Sequence, residues 1–112
     1  MLEEYEEDGG EIMPTPALND AEIIESLAKL NGWSREGDKL VKEFKLENYV
    51  SGLALATAIG AIAEGLDHHP DIFIGYRKVR VEFSTHDAGH KITHKDFAAA
   101  AAIDALKYPR VK

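Results

Sequence analysis

Apolar and polar positions change their period several times along the chain. Ile23, Ile24, Leu27 and Leu30 recur at helical spacing behind Asn19, whose side chain can cap free backbone N–H groups, with Glu22 three residues on as in a capping box. This predicts a first helix, stopped by Asn31-Gly32. Trp33 to Leu46 reads as a hairpin turning at Gly37-Asp38, with Leu40, Phe44 and Leu46 on one face and Lys42 interrupting the alternation. Asn48 to Leu66 reads as a long helix. Ile72 to Thr85 reads as two more strands, in which Val79, Val81 and Phe83 alternate with Arg80, Glu82 and Ser84. "HDAG" at 86–89 breaks that pattern, and Thr93 can cap a last helix with Asp96 in its first turn.

The predicted order is α-β-β-α-β-β-α. Short hairpins alternating with helices argue an α+β layer fold: a four-stranded antiparallel sheet with three helices on one face. The second helix has no charged residue from Asn48 to Ala63, a run short of the roughly 20 residues that span a bilayer. It reads as a buried core helix, kept slim by alanines and glycines so that a sheet can approach. Gly52 and Gly60 each lower helix propensity by about 1 kcal/mol relative to alanine, so packing must support it.

Composition changes this picture at one end only. Of the 112 residues, 1–13 hold six acids and no base, while the other 99 hold 14 acids and 13 bases. The expectation is an acidic flexible arm over 1–13 and a single near-neutral domain over 14–112. A near-neutral domain offers no basic surface for nucleic-acid phosphates. The absence of cysteine excludes disulfides and thiolate chemistry. An acidic rather than basic-then-apolar start argues for a cytoplasmic protein without a membrane association.

The candidate chemistry lies in "EGLDHHPDIFIGY", residues 64–76, and in the other three histidines. Pro70 fixes its own backbone and pushes His69 toward extended geometry. Two imidazoles at a helix-to-strand joint make an acid–base site, because histidine titrates near neutral pH and can both accept and donate a proton. Glu64 and Asp67 are near enough in sequence to orient a ring, and Glu64 would share a helical face with His68. Any one histidine alone would more often be a locally bonded surface or core residue. A metal site is the rival reading, since His86, His90 and His94 are four apart. Asp87, Ala88 and Gly89 read as a loop, however, so a helical alignment is not expected, and no HExxH or cysteine cluster supports zinc.

These residues also carry a resemblance. "EGLDHHP" at 64–70, Tyr76, "STHDAG" at 84–89, Asp96 in "THKDF" and "NGW" at 31–33 are similar to the pattern of the pterin-4a-carbinolamine dehydratases, over about residues 18–107. The resemblance implies dehydration of a 4a-hydroxytetrahydropterin to quinonoid dihydropterin and water, in the recycling of the pterin used by aromatic amino-acid hydroxylases. It implies no cofactor and no metal. It assigns His68, His69 and His86 to acid–base catalysis, and Glu64, Asp67, Pro70, Ser84, Thr85, Asp87 and Asp96 to substrate binding or its support. It further implies a homodimer or homotetramer. Relatives that serve as dimerisation, transcriptional or assembly modules supply the alternative function. One departure is visible: from His86 to Asp96 this chain carries one residue more than the usual pattern, "GHKIT" at 89–93 replacing a shorter, usually Gly-rich link. His90 and His94 match no family motif and read as exposed loop or cap residues.

Overall fold

The computed structural model describes residues 14–108. The expectation of an acidic arm over 1–13 lies outside the described residues. The elements are α1 (Asp20–Leu27), β1 (Ser34–Glu36), β2 (Lys39–Lys45), α2 (Tyr49–Leu66), β3 (Asp71–Gly75), β4 (Lys78–Phe83), a single 3-10 turn (His86–Ala88) and α3 (His94–Asp104). One antiparallel sheet runs in the order β1-β2-β4-β3. The fold is α+β with the order α-β-β-α-β-β-α, as the patterning predicts.

Local caps and a turn set the ends of the first elements. Asn19 and Glu22 close a full capping box on α1. Gly37, at φ +62, supplies the left-handed position of the two-residue turn joining β1 to β2. Asn48 caps α2 by accepting from the Ser51 N–H.

Pairing then builds one apolar face. Leu40 lies opposite Phe83, and Phe44 opposite Val79. With Val81 they form the floor on which Leu55, Ile59, Ala99, Ala100 and Ile103 pack from the helices. Lys42 belongs to the same face by register, opposite Val81. Its ammonium lies 5.8 Å from the centroid of the Trp33 ring and 4.8 Å from that of Phe44, and reaches Asp104 at 3.0 Å and the Asn31 carbonyl at 2.9 Å. A long cationic side chain can therefore occupy a core-facing position, because its charge is paired at the rim. The opposite face of the sheet carries a charge ladder in which Glu82 accepts from Arg80 and from Lys39, and Arg80 also reaches Glu36.

Three expectations are corrected. The α1 helix ends at Leu27 rather than at Asn31, and a turn carries the chain on to Leu30. Ile24 does not join the apolar stripe and stands 68% exposed, because eight residues give only two turns and Ile23 and Leu27 take the inward positions. The α2 helix is not buried all round: only Gly52, Leu55, Ile59 and Ala63 are. Their spacing is one stripe facing the sheet, with Gly52 letting Val79 approach to 3.4 Å of where a Cβ would sit. Tyr49, Val50 and Leu53 on the outer side are exposed, as are Phe73 and Ile74 on the edge strand β3.

Candidate active site

The end of α2 sets the geometry of the histidine pair. The His68 N–H donates to the Ala63 carbonyl and the Asp67 N–H to the Glu64 carbonyl, the paired bonds of a Schellman cap. Asp67 takes the left-handed position of that cap at φ 53, a role usually given to glycine. The chain then runs through His68 and His69 into half-buried Pro70 and β3, with Pro70 favouring extended backbone at His69. Successive side chains of extended backbone point to opposite sides, so the two neighbouring imidazoles diverge.

His68 turns inward. Its side chain is 11% exposed, and its ring stacks on Phe83 with centroids 5.6 Å apart and planes 5° from parallel. Its Nε2 lies 2.6 Å from Asp96 Oδ1. Asp96 is 0% exposed. Its other oxygen accepts from the Thr85 hydroxyl and the Thr93 N–H, both at 2.9 Å. Because the Thr85 hydrogen is committed to Asp96, the 2.6 Å contact between the two threonine hydroxyls has Thr93 donating to Thr85. Thr93 in turn accepts from the Lys95 N–H. Every link of this chain is polarised toward the carboxylate. A carboxylate that only accepts places the His68 proton on Nε2, leaving Nδ1 as the basic nitrogen of the neutral ring.

His69 turns outward, its Nε2 2.7 Å from Glu64 Oε1 in an exposed pair. Glu64 therefore partners His69 and not His68: the helix stops before His68 can complete an i, i+4 face.

His86 opens the 3-10 turn and is exposed. Its ring meets the His90 ring edge-on, centroids 4.6 Å apart and planes at 81°. Thr85, the residue before it, belongs to the Asp96 network, so the inner histidine is tied through two side chains to the backbone that carries His86.

The remaining predicted residues have defined places. Asp87 is engaged by Thr15, through its N–H at 3.4 Å and hydroxyl at 3.3 Å, and lies 3.9 Å from Lys95 Nζ. With the Leu18 N–H on the Ile92 carbonyl, this straps the chain before α1 across the loop after β4. Thr85 and Asp96 are buried, and Asp96 reaches the surface through His68. Ser84 is half-buried between β4 and Thr85. The shallow cleft lined by Lys45, Leu46, Tyr76, Arg77 and Lys78 contains none of the five histidines. Among the described residues, no group of three or more His, Cys, Asp or Glu side chains is gathered as a metal would require.

Sequence reasoning missed Phe83, Thr93, Thr15 and His90 as parts of this region. Phe83 was legible only as the third apolar position of β4, and Thr93 only as a helix cap; both do a second job that one-dimensional periodicity does not record.

Fold and side chains together define an α+β domain with a histidine held on a buried carboxylate at the joint between a long helix and an edge strand. Residues 16–106 match the family described as pterin 4 alpha carbinolamine dehydratase. A protein of Chloroflexus aurantiacus, provisionally named as such a dehydratase, is 47% identical over 91 residues, covering 81% of this chain and 97% of its own. One of Roseiflexus castenholzii, named the same way, is 48% identical over 89 residues, covering 80% and 95%. Among solved structures, a transcriptional coactivator/pterin dehydratase from Brucella melitensis superposes with TM-score 0.74 at 28% identity, over 80% of this chain and 97% of that one. A pterin dehydratase-like protein identified as a RuBisCO assembly factor in the alpha-carboxysome superposes with TM-score 0.58 at 27% identity, over 70% and 92%. This chain belongs to the pterin 4 alpha carbinolamine dehydratase family.

Proposed function

We propose that the protein dehydrates a 4a-hydroxytetrahydropterin to the quinonoid dihydropterin and water by histidine acid–base catalysis, in tetrahydropterin recycling. The observation that carries this reading is the His68–Asp96 pair. A fully buried carboxylate fixes one ring nitrogen and leaves the other to exchange a proton. In the reaction, one group gives a proton to the 4a-hydroxyl, the C4a–O bond breaks and water departs. A second group takes the proton from the adjacent ring nitrogen, whose lone pair then forms the C=N bond. Protons and electrons balance with no external oxidant or reductant. His68 suits the accepting role through Nδ1, and His69 and His86 are the partners for donation. Glu64 orients His69. Asp67, Pro70, Ser84, Thr85 and Asp87 shape the surroundings.

The same reading makes the protein a cytoplasmic homodimer or homotetramer. The apolar outer face of α2 and the exposed Phe73 and Ile74 on edge strand β3 support self-association. That surface also supports the second reading, a non-catalytic dimerisation, assembly or transcriptional cofactor module. Of the solved relatives, one is named both transcriptional coactivator and pterin dehydratase, and another, dehydratase-like, is named an assembly factor.

The experiment is a dehydration assay on chemically prepared 4a-carbinolamine, with and without protein, before and after exhaustive EDTA treatment. Acceleration over the spontaneous reaction that survives EDTA is expected. No acceleration would leave the binding-module reading standing. Activity lost to chelator and restored by one metal would replace histidine catalysis with a metal mechanism.

A further inference from the structure

We infer that His90 is a positioning residue for His86, holding that ring in the orientation it needs for proton transfer. The inference rests on the dehydratase reading and extends it to a residue in the lengthened 89–93 link.

Each of the other two candidate imidazoles has a carboxylate partner: Asp96 for His68 and Glu64 for His69. Among the described residues, the His86 side chain has no hydrogen-bond partner, and the ring contact it makes is the edge-on one with His90. The backbone enforces that contact. The Thr85 carbonyl accepts from the Ala88 N–H at 3.2 Å and the His90 N–H at 3.0 Å, while the Thr85 N–H donates to the Lys91 carbonyl at 2.8 Å. These bonds close residues 86–90 into a tight loop. Gly89 at φ +71 and His90 at φ +63 reverse the chain, so that the ring at the loop's end meets the ring at its start. A histidine in the left-handed region is uncommon, and such backbone persists where surrounding bonds over-determine it.

An edge-to-face aromatic pair favours one ring orientation over its alternatives by about 2- to 10-fold. An exposed histidine would otherwise sample its rotamers freely. A displaced acid or base loses rate steeply with misalignment, so orientation appears in turnover more than in binding.

His90→Gly is the decisive variant. It removes the ring while relieving the left-handed backbone, so a loss of rate cannot be assigned to unfolding. His90→Phe keeps an aromatic edge without the imidazole nitrogens, and His94→Ala is the control on a neighbouring exposed histidine. The measurements are kcat and KM for dehydration, the melting temperature, and the His86 ring proton shifts and ring-to-ring NOE by NMR. The expected result is that His90→Gly lowers kcat about 3- to 10-fold, with KM within about twofold and an equal or higher melting temperature. His90→Phe should restore most of the loss, and His94→Ala should leave both constants unchanged. A kcat within about twofold of wild type for His90→Gly overturns the inference, as does a folded His90→Phe that stays as slow as His90→Gly. If the wild-type protein has no dehydratase activity, that reading fails separately, and the NMR decides this one. His86 shifts that move in His90→Gly and return in His90→Phe support the positioning contact; shifts that do not move overturn it.

Discussion

His68 sits between two environments that usually exclude each other. Phe83 offers an apolar ring face, and Asp96 offers a fully buried carboxylate that also draws on the Thr85 hydroxyl and the Thr93 N–H. A buried carboxylate left with too few donors is costly, so the three donors and the carboxylate stand or fall together. Substituting alanine for Asp96 strands those donors at about 1–3 kcal/mol each, less whatever water recovers. Asp96→Ala should therefore lower both stability and turnover; His68→Ala, which removes one of the three donors, should lower turnover by about 10²- to 10⁴-fold with a smaller loss of stability, and the exposed His69→Ala and His86→Ala should lower turnover in the same range with melts nearly unchanged. Losses in pairs should be less than additive if the three act as one unit. Stopped-flow dehydration rates beside urea melts of the same variants check this. Three single variants that all keep wild-type rates would remove the histidine site. The acid–base roles proposed for these histidines come from "DHHP" and "STHDAG" only through resemblance. That the paired rings point opposite ways, and that Glu64 takes His69, required knowing where α2 ends. His90 reads from sequence as an exposed loop residue, and it is one; its ring contact with His86, made by chain reversal, leaves no periodic trace.

At the level of elements, periodicity served best where one face alone is buried. The β4 strand alternates cleanly and was readable, while α2 misled because its composition is apolar all round although only one stripe packs. Charge on the sheet's open face has a consequence for pH. Hydrogen bonds from Arg80 and then Lys39 hold the Glu82 carboxyl below the usual carboxylate range. A depressed carboxylate stabilises the fold at pH above its unfolded value, and that contribution fades as pH falls through the folded value. The stability difference between wild type and Glu82→Gln should thus be full near pH 7 and shrink below about pH 4. Urea melts across that range measure it. A difference that grows on acidification would contradict the assignment.

At the scale of the whole molecule, the bonds from Thr15 to Asp87 and from Leu18 to Ile92 strap the chain before α1 onto the loop after β4. Removing residues 1–13 should leave melting temperature and activity nearly unchanged, because both strap contacts lie beyond the cut. Removing residues 1–16 should cost activity through Asp87, the neighbour of His86. Equal losses in both truncations would show that the acidic residues themselves contribute.

Trp33 is the single tryptophan of the chain. It is 7% exposed, its indole N–H donates to the Asp104 carboxylate at 3.1 Å near the end of α3, and its ring lies 6.1 Å from Phe83, the ring beneath His68. The protein thereby carries its own optical probe. Emission excited selectively from indole comes from one place, where the last turn of α3, the hairpin and the floor of the histidine site meet. The melts described above can be followed without a label, and any light they record originates beside the residues in question.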